Sequence, residues 1–239
     1  MKRYQFIVCK VLQREAYLCA ARSPHIVDVT IMPQGLHNEP ERLGSELSKA
    51  LHVTHDLNGN EYDGVLMGYG LCSNGTLGIT AKITTVIPRA HDCITLMLGS
   101  KEQYQDYFSS HRGVYWYSAG WIDQTQQPSK ERYENAYEIY KEKYGEDNAE
   151  YLMEMEQNWI KEYSRATYID WGLPESERYR QFTKECAEYL GWEYDELSGD
   201  QTLMQRMADG DWNDDALLIL KPGQSLQADV TNPGIIRAE

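Results

Sequence analysis

No uninterrupted apolar segment in this chain approaches the roughly 20 residues needed to span a bilayer. A signal peptide is not expected either. The start, Met1-Lys2-Arg3-Tyr4-Gln5-Phe6-Ile7-Val8-Cys9, has two basic residues and a short apolar run, but Lys10, Gln13, Arg14 and Glu15 interrupt it too early. It reads instead as a first strand. Basic residues are scarce, with 23 Lys and Arg against 37 Asp and Glu and a net charge of −14, so no basic stripe is on offer to a phosphate backbone. Nucleic acid is therefore not an expected partner. A sequential C-x-x-C is also missing, and the five cysteines, at 9, 19, 72, 93 and 186, are odd in number and irregular in spacing. In a reducing compartment that pattern points to free thiols or metal ligands and away from a disulfide framework. A cytoplasmic protein is expected, away from membranes, and any metal site must be assembled by the fold from distant segments.

What is present is enough for a core: 239 residues, 41% of them apolar, with no internal repeat or low-complexity stretch. Residues 4–123 alternate strand-like and helix-like segments: strands at 4–9, 26–32, 62–68, 84–88 and 113–118, helices at 11–22, 39–51, 75–82 and 100–109. The fold class expected is α/β, a mostly parallel, doubly wound sheet. The runs Ile26-Val27-Asp28-Val29-Thr30-Ile31 and Gly64-Val65-Leu66-Met67 are short and nearly continuous, as in strands buried on both faces. From about residue 124 to 164, glutamate, lysine and tyrosine recur at helical spacing, which predicts a helical pair inserted into or covering a single domain of residues 1–239. Pro128-Ser129 starts this pair and Gly145 divides it. A boundary near 124 is the alternative division. A return strand at 167–172, a helix at 175–190, a last strand at 216–220 and a loosely held tail from Asp229 complete the expectation.

Parallel strands end on one edge, so residues just past them converge in space. Cys9 closes the first strand, His37 follows the second, Cys72 the third, and His91 and Cys93 the fourth. Zinc or iron prefers such sulfur and nitrogen ligands, and a thiolate beside a histidine also suits nucleophilic chemistry. Small buried thiols are the bland alternative. Gly70, Ser73, Asn74, Gly75 and Thr76 form a glycine-rich loop expected to lead into the 75–82 helix, where exposed N–H groups would favour a phosphate, carboxylate or thiolate and lower the pKa of Cys72. It is not a P-loop, because Gly-Lys-Ser/Thr is missing, and Ser73 lacks the G-x-S-x-G elbow. His91 is the candidate base, with Arg89 and Asp92 placed either to orient it or to pair with one another. Tyr115-Trp116-Tyr117-Ser118-Ala119-Gly120-Trp121 is either an apolar wall beside the same crevice or plain core packing.

The phrases Gly35-Leu36-His37-Asn38, Gly68-Tyr69-Gly70-Leu71-Cys72-Ser73-Asn74-Gly75-Thr76 and Pro88-Arg89-Ala90-His91-Asp92-Cys93-Ile94-Thr95-Leu96-Met97-Leu98-Gly99-Ser100, with Gly120-Trp121, resemble the DUF1638 family of bacteria and archaea. The resemblance covers most of residues 4–220. It implies no activity, but members are often encoded near corrinoid-dependent methyltransferases, which implies a setting in one-carbon metabolism. The positions it carries over are Cys9, Glu15, His37, Asn38, Cys72, Asn74, Arg89, His91, Asp92 and Cys93. Three readings stand at this point. One is a zinc or iron protein with Cys9, Cys72, Cys93 and either His91 or His37 as ligands, open to a small molecule or methyl carrier. The second is a metal-free enzyme with Cys72 as nucleophile and His91 as base. The third is a non-catalytic partner of a corrinoid or methyltransferase protein.

Overall fold

A computed structural model describes residues 1–212, 215–229 and 235–239. In chain order the elements are β1 (Arg3–Cys9), α1 (Gln13–Arg22), β2 (Ile26–Met32), α2 (Pro40–Leu51), β3 (Gly64–Gly68), β4 (Thr85–Pro88), α3 (Cys93–Leu98) and α4 (Lys101–Ser110). There follow β5 (Val114–Ser118), α5 (Ala119–Gln124), α6 (Lys130–Tyr144), α7 (Glu146–Gln157), β6 (Arg165–Asp170), α8 (Ser176–Leu190) and β7 (Glu193–Ser198). The last are α9 (Thr202–Asp209), β8 (Leu217–Leu220), β9 (Leu226–Ala228) and β10 (Ile236–Ala238). The fold is mixed α/β with helices around a mostly parallel sheet. No helix among the described residues is long and apolar enough to cross a membrane. The chain divides into two compact units, residues 1–105 with 199–239, and residues 106–198.

In the first unit the sheet order is β2-β1-β3-β4-β8, parallel except for β8, which closes one edge antiparallel to β4. β1 and β3 lie inside, and their short apolar sequences are buried on both faces, as the run of Phe6, Ile7, Val8, Val65, Leu66 and Met67 requires. α2 offers Leu43, Leu47 and Leu51, one residue per turn on one face, to the core that contains Ile7, Val65 and Met67. Strand order reverses at β1, where the chain proceeds outward to β2 on one side and to β3 and β4 on the other. The β1/β3 border is the switch point at which open α/β sheets form a crevice.

Three expectations need correction here. Residues 75–82 are turn and extended chain in place of a helix. Ile79 and Ala81 are buried while Thr80 and Lys82 are exposed, a period of two. The backbone pairs with the C-terminal segment, Gly78 N–H to Leu226 O at 2.8 Å and Ala81 N–H to Gln224 O at 3.0 Å. The tail from Asp229 is anchored where it is described: β10 pairs with β9, and Ile236 is buried. Residues 230–234 of that tail lie outside the described residues. Finally, β5 pairs with β6 and not with the first sheet.

The second unit is a parallel sheet in the order β5-β6-β7, with Tyr117, Tyr168 and Tyr179 at its core. Tyr115 packs against the rings of Trp159, Tyr163 and Trp192. This aromatic stretch is thus core packing, the plainer of its two readings. Ser129 caps α6 by accepting from Arg132 N–H at 3.1 Å, and Gly145 separates α6 from α7, the expected helical pair. α3, α5, β7, α9, β9 and β10 are additional to the elements read from sequence.

Candidate functional site

The C-terminal ends of β1, β2, β3 and β4 share one edge, and the segments leaving them carry every thiol and imidazole singled out for this crevice. Cys9 is the last residue of β1. His37 lies on the short turn Leu36–Asn38 after β2. After β3, Leu71 N–H donates to Ala90 O and Cys72 N–H to His91 O, both at 2.9 Å, so the loops following β3 and β4 are clasped together. Gly70 permits the clasp. A Cβ there would lie 2.6 Å from Ala90 O, 2.7 Å from Asp92 N and 2.8 Å from the His91 carbonyl carbon.

The chain then makes a left-handed turn, with φ of 46° at Cys72, 59° at Ser73 and 64° at Asn74. Left-handed residues other than glycine each cost about 1–2 kcal/mol, so three in succession need external support. Thr76 supplies part of it. It is 0% exposed, and its hydroxyl donates to Gly70 O at 3.0 Å with Leu71 O at 3.3 Å. Gly75 packs against Leu43 and Pro40. Of the five loop positions expected to bind a ligand, only Ser73 and Asn74 are exposed to solvent. Since no helix follows Cys72, there is no helix N-terminus to stabilise its thiolate.

Burial dominates the electrostatics. It pushes the Cys9 thiol up, against the opposing pull of the Val11 N–H, the Tyr69 hydroxyl and the Lys10 N–H. Burial and then the Asp92 carboxylate push Cys72 up to about 12, against the Gly70 N–H. That direction is opposite to the lowered pKa expected of a Cys72 at a helix start. Tyr69 is buried, and its pKa is raised by that burial and by the nearby Cys9, Cys72 and Cys93. The phenol is therefore the group around which the thiols gather. Cys9 and Cys72 pack against the apolar cluster that includes it.

Asp92 joins the histidines to this group. Its carboxylate caps α3 by accepting from Ile94 N–H at 3.0 Å and Thr95 N–H at 3.4 Å. Burial nevertheless raises its pKa, opposed by those two bonds and by His91 and His37. His37 is half-buried and lowered by burial, with Asp92 acting the other way. His91 is exposed. Tyr104, on α4, hydrogen-bonds Asp92 and is pushed up to about 12 by burial, then by Asp92 and Cys93. Arg89 points elsewhere. Its guanidinium donates to Ile236 O and its backbone N–H to Ala216 O, bracing the C-terminal strands.

The fold thus brings together Cys9, Cys72, Cys93, Asp92, His37 and His91, with Arg89 bonded to β10. Among the described residues, no three His, Cys, Asp or Glu side chains are grouped so that they could hold a metal ion. Cys19 and Cys186 are buried elsewhere, both pushed up to about 12 chiefly by burial. Tyr69 and Tyr104 are the site residues that sequence reasoning missed. The signal for Tyr69 was an aromatic residue held between Gly68 and Gly70 at a strand exit.

No curated protein and no solved structure matches the chain. Residues 31–208 match the family described as "Protein of unknown function (DUF1638)", a span that includes His37, Tyr69, Cys72, His91, Asp92 and Cys93 but not Cys9. That match covers more than half of the chain, which therefore belongs to the DUF1638 family.

Proposed function

We propose that the chain binds one thiophilic divalent metal, zinc or iron, through Cys9, Cys72 and Cys93, with His91 or His37 available as a nitrogen donor. The observation that carries this reading is the gathering of three thiols, from three segments far apart in sequence, around one buried phenol at the β1/β3 border. Soft sulfur donors of this kind suit zinc and iron. All five cysteines are free, as a ligand role in a reducing cytoplasm requires. Neutral thiols have no mutual attraction, so an unfinished ligand group is the expected state of the metal-free chain, and binding would release protons as it draws the sulfurs inward.

A bound metal would supply Lewis acidity at this edge. The protein's own residues would do the rest. The clasp between residues 70–72 and 90–92 holds Cys72 and Cys93 in one frame, and the Asp92 cap fixes the start of α3 that carries Cys93. An open fourth position would face a thiol or methyl-carrier ligand, and a link to corrinoid-dependent methyl transfer rests on the family resemblance. The nucleophile reading is the weaker one, because a Cys72 thiol near 12 is almost entirely protonated at neutral pH. Metal analysis of protein purified under reducing conditions tests the proposal. About one equivalent of zinc or iron supports it. Less than about a tenth of an equivalent, together with folding unchanged by Cys72→Ser, would sink it.

A further inference from the structure

Tyr69 is 4% exposed, and its hydroxyl makes no hydrogen bond of ordinary geometry to any described group. Phenylalanine would fill the same space without a buried hydroxyl to satisfy. The polar group lying against that hydroxyl is the Cys9 thiol, and the same sulfur also faces the backbone N–H groups of Val11 and Lys10. Three donors thus converge on one sulfur. A neutral thiol is a weak acceptor, whereas a thiolate accepts strong, charge-assisted bonds. Such a cradle suits the anionic form of Cys9, which is its form as a metal ligand.

Resting on the metal reading above, we propose that Tyr69 is a positioning residue of the site, donating its O–H to the Cys9 sulfur when that sulfur is a metal-bound thiolate. The hydroxyl then has its partner only in the metal-loaded protein. By fixing the direction of one sulfur and withdrawing charge from it, Tyr69 raises metal affinity and tunes the sulfur–metal bond without touching the metal.

The test is an anaerobic titration of the full chain with cobalt(II), reading the near-ultraviolet thiolate-to-cobalt charge-transfer band, for wild type and Tyr69→Phe. The expected result is a band of equal intensity in both, an affinity roughly 10- to 100-fold weaker in Tyr69→Phe, and a shift of its band to longer wavelength. A purely structural tyrosine would alter thermal stability and leave band position and affinity unmoved, which would overturn the inference while sparing the metal reading. No thiolate band in the folded wild type would overturn both. Should Tyr69→Phe fail to fold, a fluorotyrosine at position 69 keeps the shape and strengthens the donor. Its band must then move to shorter wavelength, and an unshifted band refutes the role.

Discussion

The clasp that frames the site makes a quantitative prediction at Gly70. In Gly70→Ala the new methyl would sit 2.6, 2.7 and 2.8 Å from three backbone atoms of residues 90–92, none of which belongs to a flexible side chain. Overpacking of this kind costs about 1–3 kcal/mol. Relief requires the loops to part, which gives up the Leu71–Ala90 and Cys72–His91 bonds at about 0.5–1.5 kcal/mol each. Together the substitution should cost about 2–6 kcal/mol. Gly78→Ala is the control: φ is +80° and nothing lies within 4 Å, so only left-handed strain of about 1–2 kcal/mol remains. Urea unfolding of the metal-free variants should show Gly70→Ala as clearly the more damaging, with Cys72 becoming more accessible to alkylation. A Gly70→Ala protein as stable as Gly78→Ala would refute the clasp.

Thr76→Val should destabilise the chain by about 1–3 kcal/mol in the same assay, because two loop carbonyls lose a buried donor; a change of only a few tenths would contradict this. With a thiol near 12, Cys72 of the metal-free protein should react with iodoacetamide at pH 8 roughly a thousandfold more slowly than free cysteine and accelerate continuously above pH 9, whereas fast stoichiometric labelling at pH 7 would revive the nucleophile reading. Burial raises the folded-state pKa of Asp92 above its unfolded value, so the stability this proton confers is complete below the unfolded pKa and is lost as pH rises through the folded one. Asp92→Asn, which can still cap α3 but cannot ionise, should therefore gain on the wild type as pH rises from about 4 to 7; a pH-independent difference would disprove the assignment.

The strand exits were legible because hydrophobic runs ending in glycine, proline and polar residues mark the edge of a buried parallel sheet, and parallel order then brings the segments that carry Cys9, Cys72 and Cys93 to one edge. The loop itself was not. Gly68, Gly70, Gly75 and Gly78 resemble a phosphate-binding or helix-starting stretch, yet the first three lie in close approach to neighbouring atoms and only Gly78 stands in open space. The alternation of Ile79, Thr80, Ala81 and Lys82 was the local sign of extended chain, and its partner lies some 145 residues later, beyond the reach of any local pattern. Arg89 illustrates the same limit. Beside His91 and Asp92 it reads as an orienting cation, but tertiary pairing sends it to Ile236 O. Tyr69 was hidden by its neighbours, since a tyrosine between two glycines reads as turn filler until its burial among thiols is seen.

X-ray absorption at the metal edge, on protein loaded with one equivalent of zinc, tests the central claim most directly. The account predicts three sulfur scatterers at about 2.3 Å, falling to two in each of Cys9→Ser, Cys72→Ser and Cys93→Ser. A first shell of nitrogen and oxygen alone, or a sulfur count that all three substitutions leave unchanged, would contradict it.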